Sequence, residues 1–250
     1  MSSRLDELER IQELIQEQEH EVSSDTRKRF WKMVRQIKRE PNPNISEVKK
    51  ATQIRNMLFK IDRGRTYRIG PFLALQTICG FLAFLGFLYG LGTPVNYFSI
   101  STWGFTEVIA VIIRFFGLFF VVAFLYPYGR LIAGNALGIR LEAMCFDEFR
   151  EPTLKIDYES FLLASPSKRK LLFFFSGLWT LITSLVIGFI GFAMAGDILG
   201  ILFAVFLLVF YGYVIGTGKT KHSRGEMAHF NRERKIERAW KHKLGLSRPT

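Results

Sequence analysis

Histidine, cysteine and the short catalytic motifs are scarce in this chain of 250 residues. The two cysteines, Cys79 and Cys145, fall in an apolar block and in a polar connection, so we expect no disulfide between them. All four histidines lie outside the apolar blocks, and no cysteine cluster accompanies them at zinc-ligand spacing. No phosphate-binding loop, dinucleotide fingerprint or Gly-x-Ser-x-Gly elbow is present. These absences predict no metal and no cofactor, and they argue against the common classes of enzyme.

Long apolar runs, in contrast, are abundant. Hydrophobic residues make up 49% of the chain, and 25 residues are phenylalanine. Because a helix of about 20 apolar residues spans the hydrocarbon core of a bilayer, each long run is a candidate transmembrane helix. The sequence therefore predicts an all-α polytopic membrane protein with four transmembrane helices, at residues 71–91, 104–126, 171–195 and 198–217.

The positions of lysine and arginine predict the topology. Of the 34 basic residues, 16 lie in 1–69, 7 in 127–170 and 10 in 218–250, whereas the connections 92–103 and 196–197 hold none. Basic segments resist translocation and stay on the cytoplasmic side. We therefore expect a cell-membrane protein with both termini and the connection 127–170 in the cytoplasm.

The polar segments carry their own periodicities. Residues 1–69 predict three amphipathic helices, at 4–22, 26–39 and 46 to about 62, and the second is basic with an apolar face that favours binding to anionic lipid head groups. Alternating apolar residues at 139–145 and 154–158 predict a small cytoplasmic β-hairpin with its turn at 147–152. The tail 218–250 is basic, with a helix predicted around 226–244.

Ionisable residues in or beside the apolar blocks are candidates for a polar site. Arg114 lies seven residues after Glu107, so both project from one helix face, and Asp197 is expected near the same side of the membrane. One interpretation is a polar groove in which Arg114 attracts a substrate or client. The other is a structural arginine paired with Glu107 or Asp197.

Glycine pairs at four-residue spacing indicate close helix packing. The pairs are Gly86 with Gly90, Gly196 with Gly200, and Gly212 with Gly216.

Residues 126–140 read YPYGRLIAGNALGIR, with Tyr126, Pro127, Tyr128 and Arg130 at the start. This run resembles the zinc-motif helix of the site-2 protease family of intramembrane metalloproteases, in which His-Glu-x-Gly-His is followed by a small, apolar run ending in Leu-Gly-Val/Ile-Arg. The likeness covers roughly residues 105–217. Here Tyr126 and Arg130 replace the two histidines and Pro127 replaces the general-base glutamate. The resemblance implies the helical core of that family, in a degenerate form that lacks its zinc ligands.

These observations predict a non-catalytic membrane protein whose protease-like core binds a membrane-protein client or partner. One alternative is an insertase or translocon accessory whose basic tail docks on ribosomal RNA. Another is a small transporter, for which four spans would require a homo-oligomer. No motif for specific DNA binding is present.

Overall fold

A computed structural model describes residues 3–18, 21–63, 65–98, 100–146, 152–217 and 226–245. It is mostly helical, with one small sheet. The chain divides into two compact units. We call them the polar unit (Met1–Ile69, Ala133–Leu172 and His229–Thr250) and the apolar unit (Gly70–Ile132 and Phe173–Ala228). The polar unit thus brings together three segments that the sequence presents separately.

Three helices begin the polar unit, as the sequence predicts: α1 (Arg4–Glu17), α2 (Ser24–Lys38) and α3 (Ile45–Arg63). Ser3 and Ser23 cap the first two, since their hydroxyls accept hydrogen bonds from backbone N–H groups of the first turn. The apolar face of α2 is buried within this unit at Phe30, Val34 and Ile37. This face therefore lies in the core of the polar unit, where α1 and α3 present buried apolar faces of their own, and the binding of α2 to anionic lipid stays a prediction.

The predicted hairpin is confirmed as an antiparallel pair, β1 (Leu141–Phe146) and β2 (Pro152–Ile156), with Met144 opposite Leu154. Its predicted turn lies largely outside the described residues. The second predicted strand, 154–158, is too long at its C-terminal end. The observed strand β2 ends at Ile156, because Asp157 caps a short helix, α6 (Tyr158–Leu163). The predicted tail helix is present as α10 (Glu226–Lys243).

Long apolar helices build the apolar unit: α4 (Ile69–Gly92), α5 (Phe105–Leu137), α7 (Pro166–Thr183) and α9 (Ile198–Thr217). A π-helical segment, Ser184–Ile190, and the short α8 (Gly191–Met194) continue α7. Three helices, α4, α5 and the continuous Pro166–Met194, are long and apolar enough to cross a membrane, and the apolar stretch described in α9 is shorter. The three long helices are consistent with a multi-pass membrane protein. The exposed faces of the apolar helices carry many large apolar side chains.

The second predicted span continues beyond its predicted end at residue 126. Helix α5 runs through Pro127 to Leu137. Proline removes one backbone hydrogen bond from a helix, but membrane helices tolerate that loss because neighbouring groups can satisfy the released carbonyl.

Aromatic and aliphatic side chains fill the core of the apolar unit around Phe87, Leu118 and Phe192. The rings of Phe87 and Phe192 meet edge to face with centroids 5.3 Å apart. A Cβ atom on Gly200 would lie 2.0 Å from the Phe192 ring, so the predicted packing role of this glycine is confirmed. Gly212, in contrast, has open space beside it.

Candidate functional site

Arg114 and Asp197 form a buried ion pair in the apolar unit, with exposed fractions of 2% and 6%. The guanidinium Nη1 lies 2.5 Å from Asp197 Oδ2, and it also donates to the hydroxyl oxygen of Tyr97 at 3.1 Å. Tyr97 in turn donates to Asp197 Oδ2 at 2.8 Å. The other terminal nitrogen, Nη2, donates to the carbonyls of Gly90 and Thr93 at 2.5 and 2.6 Å. We call Arg114, Asp197 and Tyr97 the Arg114 cluster.

The ends of two helices explain the position of this pair. Arg114 binds carbonyls at the C-terminal end of α4, where a helix dipole favours a cation. Asp197 precedes α9 and accepts a hydrogen bond from Gly200 N at 2.8 Å, so it caps the N-terminal end, where an anion is favoured. Gly90 gives the arginine room, since a Cβ atom there would lie 2.7 Å from Arg114 Cβ. Of the two partners that the structural interpretation names for Arg114, the structure pairs it with Asp197.

Glu107 does not join this cluster. It lies in the first turn of α5, is partly exposed, and pairs with no cation among the described residues. Tyr97, whose hydroxyl contacts both charges, is predicted by the sequence only as an interfacial aromatic residue near a span end and not as a member of the site. The sequence gives little indication of this role, since Tyr97 is simply the one tyrosine in the connection 92–103, which holds no basic residue. Burial, together with the hydrogen bond to Asp197, raises the pKa of Tyr97 to about 12, so its hydroxyl remains a donor at neutral pH.

A second, partly buried cluster lies at the position of the protease-like motif. Tyr126 and Arg130 are one helical turn apart on α5, and both bind Oε1 of Glu226. The tyrosine hydroxyl donates at 2.9 Å, and Ser176 Oγ on α7 donates to the same oxygen at 3.2 Å. We call these four residues the Glu226 cluster. The sequence predicted Tyr126 and Arg130 as motif positions but offered Glu226 only as an acidic residue in a basic tail.

The other two motif positions have different roles. Pro127 lies inside α5, where its backbone nitrogen carries no hydrogen and cannot donate a helical hydrogen bond. Tyr128 donates to the carbonyl of Leu73 at 3.0 Å and shares a short hydrogen bond with the hydroxyl of Thr77, so it ties α5 to α4. The motif therefore splits between two faces of one helix.

Glu226 and Thr180 each carry a buried oxygen that has no hydrogen-bond partner among the described residues. These oxygens are Oε2 of Glu226, whose residue is 6% exposed, and Oγ1 of Thr180, whose residue is 3% exposed. Thr180 lies four residues after Ser176 on α7, so the two hydroxyl side chains share one helix face. A buried polar atom that lacks a partner costs about 1–3 kcal/mol, and that cost is recovered when a ligand supplies the hydrogen bond.

The polar unit contains a buried group of three charged side chains, which we call the Glu233 triad: Lys38, Arg169 and Glu233. Glu233 Oε1 lies 2.6 Å from Lys38 Nζ, and Oε2 lies 2.8 Å from Arg169 Nε. Arg169 also donates to the carbonyls of Leu162, Ala164 and Lys38. Burial lowers the pKa of Lys38 to about 8, against the opposing charge of Glu233. Burial raises the pKa of Glu233, but its two cationic partners together bring it below its usual value.

No group of three or more His, Cys, Asp or Glu side chains suited to a metal ion occurs among the described residues. Comparison of the chain with family models, with curated proteins and with solved structures finds no match. The likeness of residues 105–217 to site-2 proteases therefore stays a prediction from the sequence. The chemistry of the two clusters in the apolar unit is the basis on which a function can be inferred.

Proposed function

We propose that this chain is a non-catalytic, multi-pass membrane protein with a protease-like helical core that binds a membrane client at the Glu226 cluster. The observation that carries the proposal is the unfilled hydrogen-bonding capacity at Glu226 Oε2 and Thr180 Oγ1, both buried. A polar side chain of a client helix would satisfy these atoms.

The residues at the motif position favour this chemistry over metal binding. Tyr126 and Arg130, which stand where the resembled family has histidines, direct their polar atoms to Glu226. The positive charge of Arg130 would repel a divalent cation, whereas it holds the carboxylate in place for hydrogen bonding. The client we expect is a transmembrane helix with an amide or hydroxyl side chain, because such groups bond across helices in lipid.

Replacing Thr180 by valine tests this site with little change in shape. The substitution removes the hydroxyl without breaking any side-chain hydrogen bond of Thr180 seen among the described residues. We expect the fold to be as stable as the original, and client recovery to fall about fivefold, the equivalent of one hydrogen bond of about 1 kcal/mol. The measurement is co-purification in mild detergent at low and moderate salt, with mass spectrometry of the retained membrane proteins.

Thr183→Val is the matched control. The hydroxyl of Thr183 already donates to the carbonyls of Trp179 and Thr180 on its own helix, at 3.0 Å each. Its loss should leave client recovery unchanged. Equal recovery from Thr180→Val and from the original chain would contradict the proposed site.

The charge distribution of α10 favours a second candidate, an insertase or translocon accessory that docks on ribosomal RNA. All three acidic residues of this helix are buried, whereas its six basic residues are exposed; the acidic set is Glu226, Glu233 and Glu237. In the same purification, ribosomal proteins that are present at low salt and absent at moderate salt would support this candidate. Arg234→Glu combined with Arg238→Glu should then abolish their recovery. Deleting the tail is a poorer test, because it also removes Glu233 from its buried triad.

We further propose four spans, with α9 as the fourth, in the cell membrane and with both termini cytoplasmic. The concentration of lysine and arginine in 1–69, 127–170 and 218–250, and their absence from 92–103 and 196–197, support this topology. In a background without Cys79 and Cys145, we expect Phe98→Cys to react with a membrane-impermeant maleimide in intact cells, and Lys243→Cys to react only after permeabilisation. If α9 did not cross, Lys243→Cys and Phe98→Cys would label from the same side.

A further inference from the structure

The outward face of α2 carries a stripe of basic residues around one tryptophan. Lys28, Lys32, Arg35 and Arg39 follow one another at spacings of four, three and four residues, so they share one face of the helix. Trp31, three residues after Lys28 and four before Arg35, lies in the same stripe, with 41% of its surface exposed. We call these five residues the α2 stripe. It lies opposite the apolar face that the polar unit buries.

The charges of the α2 stripe are largely uncompensated. Lys28 pairs with Asp25 at 3.1 Å, whereas Lys32, Arg35 and Arg39 pair with no acidic group among the described residues. Of the three cations of α2 outside the stripe, Arg29 is exposed and the other two are paired. Arg27 binds Asp62 at 2.7 Å, and Lys38 binds Glu233. The helix thus neutralises its inner cations and leaves its outer ones for an external anion.

We infer that the α2 stripe binds the anionic head-group surface of the membrane in which the chain resides, with Trp31 entering the interfacial layer. The inference depends on the membrane residence of the apolar helices and not on the client proposed above. Basic side chains next to a bilayer are attracted by its anionic lipids, and an indole ring prefers the boundary between head groups and hydrocarbon.

Chain connectivity favours lipid over nucleic acid as the anion. Only residues 64–68 separate α3 from the first apolar helix, α4, so lipid head groups are present near the polar unit at all times. Nucleic acid would have to be recruited from solution. The sequence also contains no nucleic-acid-binding motif.

Quenching of Trp31 fluorescence by brominated lipid tests the inference on the full chain. The chain is placed in nanodiscs of brominated phosphatidylcholine, with or without roughly one-third phosphatidylglycerol, an anionic lipid. Subtracting the emission of Trp31→Phe isolates Trp31 from the other three tryptophans. We expect an about twofold loss of Trp31 emission in anionic discs and little loss in neutral discs.

Lys32→Glu combined with Arg35→Glu should abolish this loss, since both side chains are exposed and their replacement leaves the core intact. The control is Lys49→Glu with Lys60→Glu, two exposed lysines on α3 that match the charge change and should keep the quenching. Equal quenching in both disc types, or none in either, would overturn the inference. A change in Trp31 emission on adding RNA, without quenching by anionic discs, would identify nucleic acid as the partner and overturn it too.

Discussion

Replacing Glu233 by glutamine is expected to destabilise the polar unit by about 3–5 kcal/mol, because it leaves two buried cations without an anion. Lys38 and Arg169 both contact this carboxylate, and Arg169 has no exposed surface. An amide can still accept hydrogen bonds, but it supplies no negative charge. Repulsion between the two cations would then add to the cost of keeping them out of water.

Lys38→Met should have a much smaller effect, although it alters the same triad. Glu233 keeps its bond to Arg169, so the variant buries one cation and one anion instead of two cations and one anion. We expect a loss below about 1.5 kcal/mol, or a small gain. To compare the two variants, the full chain is unfolded in nanodiscs, and the unfolded fraction of the polar unit is measured by pulse proteolysis. Equal losses would show that the triad acts through packing and not through charge.

The same triad predicts a dependence of stability on pH. The pKa of Lys38 is about 8 in the folded chain and near 10.5 in an unfolded one, so the unfolded chain binds more protons between these values. Stability contributed by Lys38 should therefore rise with pH across that window, and Lys38→Met should remove the rise. Glu233 acts in the same direction at lower pH. Because its pKa is lowered in the folded chain, it contributes stability above the pKa of an unfolded glutamate, and that stability is lost as pH falls through the folded pKa.

Local patterns in the sequence predicted the helices and the hairpin because those elements depend on near neighbours. Apolar residues at helical spacing locate α1 and α2, and the serines Ser3 and Ser23 next to them in sequence cap these helices. The apolar face of α2 was correctly located, and the structure buries it within the polar unit. An amphipathic pattern shows which side is buried, and it does not distinguish a protein neighbour from lipid.

Contacts between distant residues could not be read in this way. Lys38 and Glu233 are 195 positions apart, and no periodicity links them. Arg114 and Asp197 were both candidates, since charges near apolar blocks are rare, but their pairing depended on helix ends meeting in space. The sequence left both Glu107 and Asp197 open as partners of Arg114, and the two helix dipoles favour Asp197.

Arg114→Leu is expected to reduce the amount of folded protein sharply, with a loss of stability of about 3–5 kcal/mol. The substitution leaves the Asp197 carboxylate buried with only neutral donors, the Tyr97 hydroxyl and Gly200 N. It also leaves the carbonyls of Gly90 and Thr93 without their shared donor. Abundance in membranes and thermal unfolding in detergent measure both consequences.

A second substitution separates charge from shape at this cluster. In Arg114→Leu combined with Asp197→Asn, the asparagine removes the stranded charge and keeps an oxygen that can accept from Gly200 N. We expect the double variant to recover roughly half of the lost stability, since burying an amide costs less than burying an unpaired carboxylate. Glu107→Gln should change stability by less than about 0.5 kcal/mol. Normal abundance of Arg114→Leu with lost client recovery would instead place the client at Arg114, because a purely structural arginine cannot be lost without loss of fold.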